Sequence, residues 1–101
     1  MIVNRWQASV IPSKDQLELM FKLEGLKPIE EVYPSKSEVA DHRHPFDELR
    51  SVVSGELMIN VSGNKLLLRA GDRIIIPANT RHSTAVDAGE DCVSIYAHRI
   101  Y

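Results

Sequence analysis

From Gly55 onward the chain is punctuated by turn-forming residues so closely spaced that only short strands fit between them. Gly55, Ser62-Gly63-Asn64, Ala70-Gly71-Asp72, Pro77 and the stretch from Asp87 to Asp91 each carry residues that favour turns. Leu57, Ile59 and Val61 alternate with Glu56, Met58 and Asn60, the pattern of a strand with one buried face. Ile74-Ile75-Ile76 is a fully buried or ligand-facing run that stops at Pro77, and His82 to Val86 is a short strand. Cys92 to His98 is a last strand rich in β-branched and aromatic residues. Short strands with turn signals about every 8–12 residues point to an all-β sandwich or barrel.

The N-terminal part reads differently. Ile2 to Ile11 has alternating apolar positions and Trp6, and is expected to be an edge strand. Ser13-Lys14-Asp15-Gln16 has the form of a capping box and announces a helix. Leu17, Met20 and Phe21 fall at i, i+3 and i+4, with Leu19 and Leu23 taken to widen the same apolar stripe. Lys14, Glu18 and Lys22 line an exposed flank, and Gly25 is placed to end the helix. From Ile29 the helical period disappears, Tyr33 to Ser37 forms a loop, and Val39 to His44 is extended.

The chemistry of the chain is concentrated in Asp41-His42-Arg43-His44-Pro45-Phe46-Asp47-Glu48. In an extended segment His42 and His44 project to the same side, roughly 7 Å apart along the strand. Pro45 cannot donate to a sheet ladder, so the chain is expected to bulge or loosen there. Glu48 opens the next strand, which can return its carboxylate towards the imidazoles. Two neutral nitrogens and one carboxylate suit a divalent transition metal, and His82 is the candidate for a fourth ligand.

Composition excludes several classes. A chain of 101 residues forms one domain with a single core. A net charge of -2, with no basic stripe, argues against a nucleic-acid partner. The absence of a long apolar run or charged leader argues against a membrane span or secretory signal. The single cysteine, Cys92, fits a reducing cytoplasm and reads as a buried strand residue rather than a nucleophile.

The ligand spacing resembles the cupin family. Its first motif runs Gly, five residues, His-x-His, three or four residues, Glu, six residues, Gly; His42, His44, Glu48 and Gly55 match, and Lys36 replaces the leading Gly. Its second runs Gly, five residues, Pro-x-Gly, two residues, His, three residues, Asn; Gly71, Pro77 and His82 match, while Asn79 and Val86 replace the Gly and Asn. Asn tolerates the left-handed conformation, so the change at Asn79 is mild. Val86 removes a polar pocket group but not a ligand. The resemblance implies a double-stranded β-helix, or jelly-roll barrel, with one N-terminal α-helix. It implies one domain over residues 1–101, with strand and helix in 1–28 and the barrel in 29–101. It also implies a metal on His42, His44, Glu48 and His82, a small-molecule ligand and a homodimer. Iron, manganese, nickel or cobalt would keep open positions on such a ligand set, whereas zinc tends to keep four ligands.

Other residues carry alternatives. Arg50 lies two residues after Glu48 and faces the same side, into the barrel, where it binds a substrate anion or pairs with one of the chain's own acids. Tyr96 and His98 share one face of the last strand; Tyr96 is the candidate catalytic residue there, against a packing or rim role for both. Arg43 and Arg81 should point away from the metal. Asp41 and Asp47 are read as solvated loop acids, the alternative being partners that orient an imidazole. Three functions follow: a metal-dependent enzyme (dioxygenase-, isomerase- or lyase-like) on a small organic acid, carbonyl or sugar-derived compound; a non-catalytic small-molecule sensor; or a structural metal-bound dimer.

Overall fold

The computed structural model describes residues 1–100. Its elements are β1 (Ile2–Asn4), α1 (Lys14–Leu23), β2 (Ile29–Tyr33), β3 (Glu38–His42), β4 (Asp47–Ser54), β5 (Glu56–Val61), β6 (Asn64–Arg69), β7 (Arg73–Ile76), β8 (His82–Ala85) and β9 (Cys92–Arg99). They form two antiparallel sheets, one ordered β1-β7-β4-β9-β2 and the other β3-β8-β5-β6. The fold is an all-β jelly roll with one helix. Among the described residues no helix is long and apolar enough to cross a membrane.

The main core lies between the sheets. Tyr33, Val52, Ile74, Ile76 and Cys92 from one sheet meet Leu57, Ile59, Val61 and Leu68 from the other. The alternation in β5 decides which side chains enter, since Leu57, Ile59 and Val61 are buried while Met58 and Asn60 are only half-buried. Strand β4 is buried on both faces. Glu48, Arg50 and Val52 share the inner side, while Leu49 and Val53 lie outside beneath α1, which covers them with Leu17 and Phe21.

The helix is built as its local sequence dictates. Ser13 Oγ accepts from the Gln16 amide and the Gln16 side chain accepts from the Ser13 amide, completing the capping box. At the other end Leu26 N donates to Phe21 O and Gly25 N to Lys22 O, a Schellman closure with Gly25 at φ 77°. The buried stripe is narrower than expected. Leu17 and Phe21 are buried, but Leu19, Met20 and Leu23 are exposed. At about 100° per residue, Leu19 and Leu23 lie about 200° and 240° around the helix from Leu17, facing water.

The expected edge strand over residues 2–11 is also shorter. Only Ile2–Asn4 pairs with β7, and it does so as an edge of the five-stranded sheet. Beyond Asn4 the buried Asp72 carboxylate takes over: Oδ1 accepts from Trp6 N and Oδ2 from Arg5 Nη1 and Arg69 N. These bonds draw the chain off the ladder and lay the Trp6 ring across Gly71.

Candidate metal centre

Residues of both sheets enclose a cavity of about 180 Å³. This is smaller than the 300–1,000 Å³ typical of drug-sized ligands, so it suits a compact molecule. Strands β4, β9 and β2 line it on one side with Glu48, Arg50, Tyr96, Glu31 and Tyr33; β3, β8 and the adjoining loop supply His42, His44, His82 and Thr84.

Sheet register brings the histidines together. His42 on β3 is the cross-strand partner of His82 on β8. The β3 ladder shifts register between Val39 and His42, which lets two residues three positions apart both face the cavity. His44 lies in the break between β3 and β4, where Pro45 interrupts pairing. Its carbonyl accepts from Asn79 N at 2.6 Å, with Asn79 in the left-handed region at φ 60°. Lys36, in the place of the family's glycine, likewise adopts φ 62°, so the turn is kept despite the substitution.

The imidazoles are oriented through the backbone. His42 Nδ1 lies 2.8 Å from Ala40 O, and His82 Nδ1 lies 2.9 Å from Thr80 O. A carbonyl only accepts, so Nδ1 carries the proton in each neutral ring and Nε2 keeps its lone pair. The ring centroids are 4.3 Å apart for His42 and His82, 4.8 Å for His42 and His44, and 5.4 Å for His44 and His82. One ligand atom from each of the three lies within 4.8 Å of the others. Burial lowers the His44 pKa below 6.5; the carboxylate of Glu48 opposes this, and the neighbouring rings of His42, His82 and His98 reinforce it. His44 is therefore neutral at pH 7, the form that ligates.

Glu48, 5% exposed, lies beside two of the three imidazoles. Its Oε1 lies 3.6 Å from His44 Nε2 and 3.9 Å from His82 Nε2, too far for hydrogen bonds. His82 Nε2 is buried and has no hydrogen-bond partner. A buried imidazole nitrogen without a partner is costly unless something binds it. Three nitrogens and one carboxylate oxygen form a donor set that fits a divalent transition metal.

Arg50 is occupied by the chain itself. Its Nε donates to Glu48 Oε2 at 3.1 Å, Nη1 donates to Ser94 Oγ at 2.7 Å, and Nη2 pairs with Glu31 Oε1 at 2.9 Å. The guanidinium also lies over the Tyr33 and Tyr96 rings, at 5.2 and 4.7 Å from their centroids. Burial alone would lower its pKa, but Glu48, Tyr33 and Glu31 outweigh burial and raise it. The Tyr33 phenol is pushed up, chiefly by burial and against the pull of Arg50, with the Glu31 carboxylate adding to the rise through charge and a hydrogen bond.

The remaining candidates separate clearly. Arg43, Arg81 and Asp41 are exposed, and His98 stands at the rim, 4.1 Å from the Phe46 ring. Asp47 is not a solvated loop acid: it is buried, accepts from Ala78 N at 2.9 Å and pairs with Arg99 Nη2 at 3.2 Å. Starting β4, its side chain ties that strand to the loop after β7. The Cys92 thiol is pushed up to about 11, mainly by burial, which makes it inert as a nucleophile at neutral pH. Sequence reasoning missed Glu31, Tyr33, Ser94 and Thr84. Ser94 was within reach, two residues before Tyr96 on the same strand face. Glu31 and Tyr33 were not, because β2 carries too weak an alternation to reveal its inner side.

A family model for the cupin domain matches residues 28–97. No curated protein sequence matches the chain. Among solved structures, the chain is similar to a protein described as a predicted oxalate decarboxylase from Thermotoga maritima, at 18% identity and TM-score 0.69. That match covers 79% of this chain and 71% of the other. DMSP lyase DddQ from Ruegeria pomeroyi DSS-3 matches at 21% identity and TM-score 0.68, over 74% of this chain but only 38% of the lyase. An RmlC-like cupin from Shewanella frigidimarina NCIMB 400 matches at 24% identity and TM-score 0.62, over 73% of this chain and 67% of the other. At these identities the likeness is one of fold.

Proposed function

The chain belongs to the cupin family, and within it we propose a metal-dependent enzyme acting on a small organic acid, carbonyl or sugar-derived compound. The observation that carries this reading is His82 Nε2, buried and without a hydrogen-bond partner beside His42, His44 and Glu48. These four residues would hold one divalent ion: iron, manganese, nickel, cobalt or zinc. When bound, the ion would supply Lewis-acid chemistry, and a redox-active one could also activate dioxygen.

The protein's own groups have defined tasks in this reading. Ala40 O and Thr80 O hold His42 and His82 in the ligating tautomer. Arg50 holds one oxygen of Glu48 and so fixes the direction of the other. Thr84 Oγ1, buried and unpartnered in the cavity wall, is available to hydrogen-bond a substrate oxygen. Tyr96, its ring packed on Arg50, is the candidate to donate a proton to bound substrate. A lyase and a described decarboxylase among the fold's neighbours are reaction types that this reading includes.

Elemental analysis of the wild type against a His42→Ala, His44→Ala double variant tests the ligand set. About one transition-metal ion per wild-type chain and none in the variant is the expected result; equal content overturns the assignment. Small 2-oxo acids, hydroxy acids, enediols and uronates would then be screened against protein loaded with each metal, following oxygen uptake and product mass. Binding without turnover would favour a sensor, and neither would leave a structural role.

An edge strand favours a homodimer. Ile29 and Val32 on β2 are exposed, and β2 is a sheet edge. Light scattering at micromolar concentration should give twice the chain mass; a monomer mass would exclude the dimer. Trp6 is not the dimer element in this reading, because its own chain holds it. A reducing compartment such as the cytoplasm suits the lone buried thiol.

A further inference from the structure

Resting on the reading that the cavity takes an organic acid, we propose that Glu31 occupies the carboxylate seat of the cavity and that a substrate carboxylate replaces it on Arg50. Glu31 thereby becomes a specificity-determining residue.

The two acids on Arg50 are not equivalent. The Glu48 side chain is 6% exposed and its second oxygen faces the imidazoles, so it cannot leave without stranding a buried charge. The Glu31 side chain is 41% exposed and stands on β2, the edge of its sheet. Rotating it outward returns its charge to water, at the loss of an ion pair open to solvent and of its hydrogen bond with the Tyr33 phenol. Arg50, by contrast, stays where it is. Glu48, Ser94 and the two tyrosine rings still grip the guanidinium after Glu31 departs, and Nη2 is then without the partner it had in the cavity wall.

Occupancy requires exchange rather than addition. Arg50 Nε is already held by Glu48 and Nη2 by Glu31, so a ligand carboxylate reaches Nη2 only where Glu31 has left it. The distance to the histidines then limits the ligand. One carboxylate, that of Glu48, spans from Arg50 to His44 and His82. A ligand lying beside it needs its second oxygen donor next to its carboxylate, as in 2-hydroxy and 2-oxo acids. Thr84 Oγ1 offers that donor an unused partner.

The test compares lactate with lactamide, its neutral counterpart, on zinc-loaded wild type and Glu31→Gln, by calorimetry after elemental analysis has confirmed equal zinc. Glu31→Gln should tighten lactate by about fivefold, the upper end for releasing one exposed ion pair, and leave lactamide unaltered. Glu31→Asp should keep the competition and bind lactate as the wild type does, within about twofold. Lactate binding that is unchanged or weaker in Glu31→Gln overturns the seat while leaving the metal and cavity reading intact. No lactate binding by either zinc-loaded protein overturns the cavity reading and the seat with it. In crystals of the lactate complex Glu31 should point to solvent with the ligand carboxylate on Arg50; Glu31 still bound to Arg50 would overturn the exchange.

Discussion

Arg50 Nε donates to Glu48 Oε2 at 3.1 Å, and the other oxygen of the same carboxylate lies 3.6 Å from His44 Nε2 and 3.9 Å from His82 Nε2. The two residues are i and i+2 on β4, so one strand face presents both the candidate ligand and the group that aims it. Glu48 is buried, and its charge is tolerable there because Arg50 is beside it.

Replacing Arg50 by alanine should therefore act on stability and on the metal together. A buried carboxylate that loses its partner costs about 3–5 kcal/mol, and loss of an outer partner weakens metal binding by about 10–100-fold. Arg50→Lys restores the charge without the planar fork and should fall between. Urea denaturation and competition for metal with a chelator measure the two effects. An Arg50→Ala protein with wild-type stability would show that Glu48 does not depend on Arg50.

Asp72 gives a pH dependence whose sign follows from its surroundings. Burial would raise its pKa, but the amides of Arg69 and Trp6 and the Arg5 guanidinium outweigh burial and hold it below 3.8. The folded value is depressed, so the stabilisation is fully present above the unfolded pKa and is lost as pH falls through the folded one. Asp72→Asn should cost about 1.5–3 kcal/mol at pH 7, the range for hydrogen bonds to a charged group. The difference from wild type should shrink on acidification below pH 3.8. Denaturation at a series of pH values checks both.

Gly71 lies at φ 91°, and a Cβ built there would approach the Trp6 ring to 2.7 Å. Gly71→Ala should destabilise by at least about 1–2 kcal/mol from the left-handed backbone alone. It should also shift the emission of Trp6, the single tryptophan, as the ring moves off the barrel. Unchanged fluorescence and melting temperature would show that the N-terminal segment does not rest on this contact.

The helix separates its apolar residues by face. Phe21 is 1% exposed and packs against the outer side of β4 and β9, so Phe21→Ala should cost about 3–5 kcal/mol. Leu23 is 79% exposed, and Leu23→Ala should stay within about 0.5 kcal/mol of wild type. Thermal denaturation of the pair tests whether α1 is anchored as described.

Several features of the protein were legible in its sequence because they depend on residues a few positions apart. The capping box at Ser13, the helix stop at Gly25, the alternation in β5 and the shared face of Glu48 and Arg50 follow from backbone periods and local hydrogen bonding. The motif spacing of His42, His44, Glu48 and His82 belongs with them, since recognising it requires only counting along the chain. Which strands become neighbours is another matter, because strand pairing is settled by the burial of many side chains at once, not by any local signal. Only the sheet order sets His82 opposite His42, and only the placement of β2 beside β9 brings Glu31 to Arg50. The same holds for the N-terminal segment. Its alternation favoured a long strand, but Asp72, distant in sequence, offered Trp6 and Arg5 stronger hydrogen bonds than the ladder did and drew the chain away. Sequence determined which groups could meet an anion or a metal; tertiary packing decided which of them do, by fixing their distances and removing water from between them.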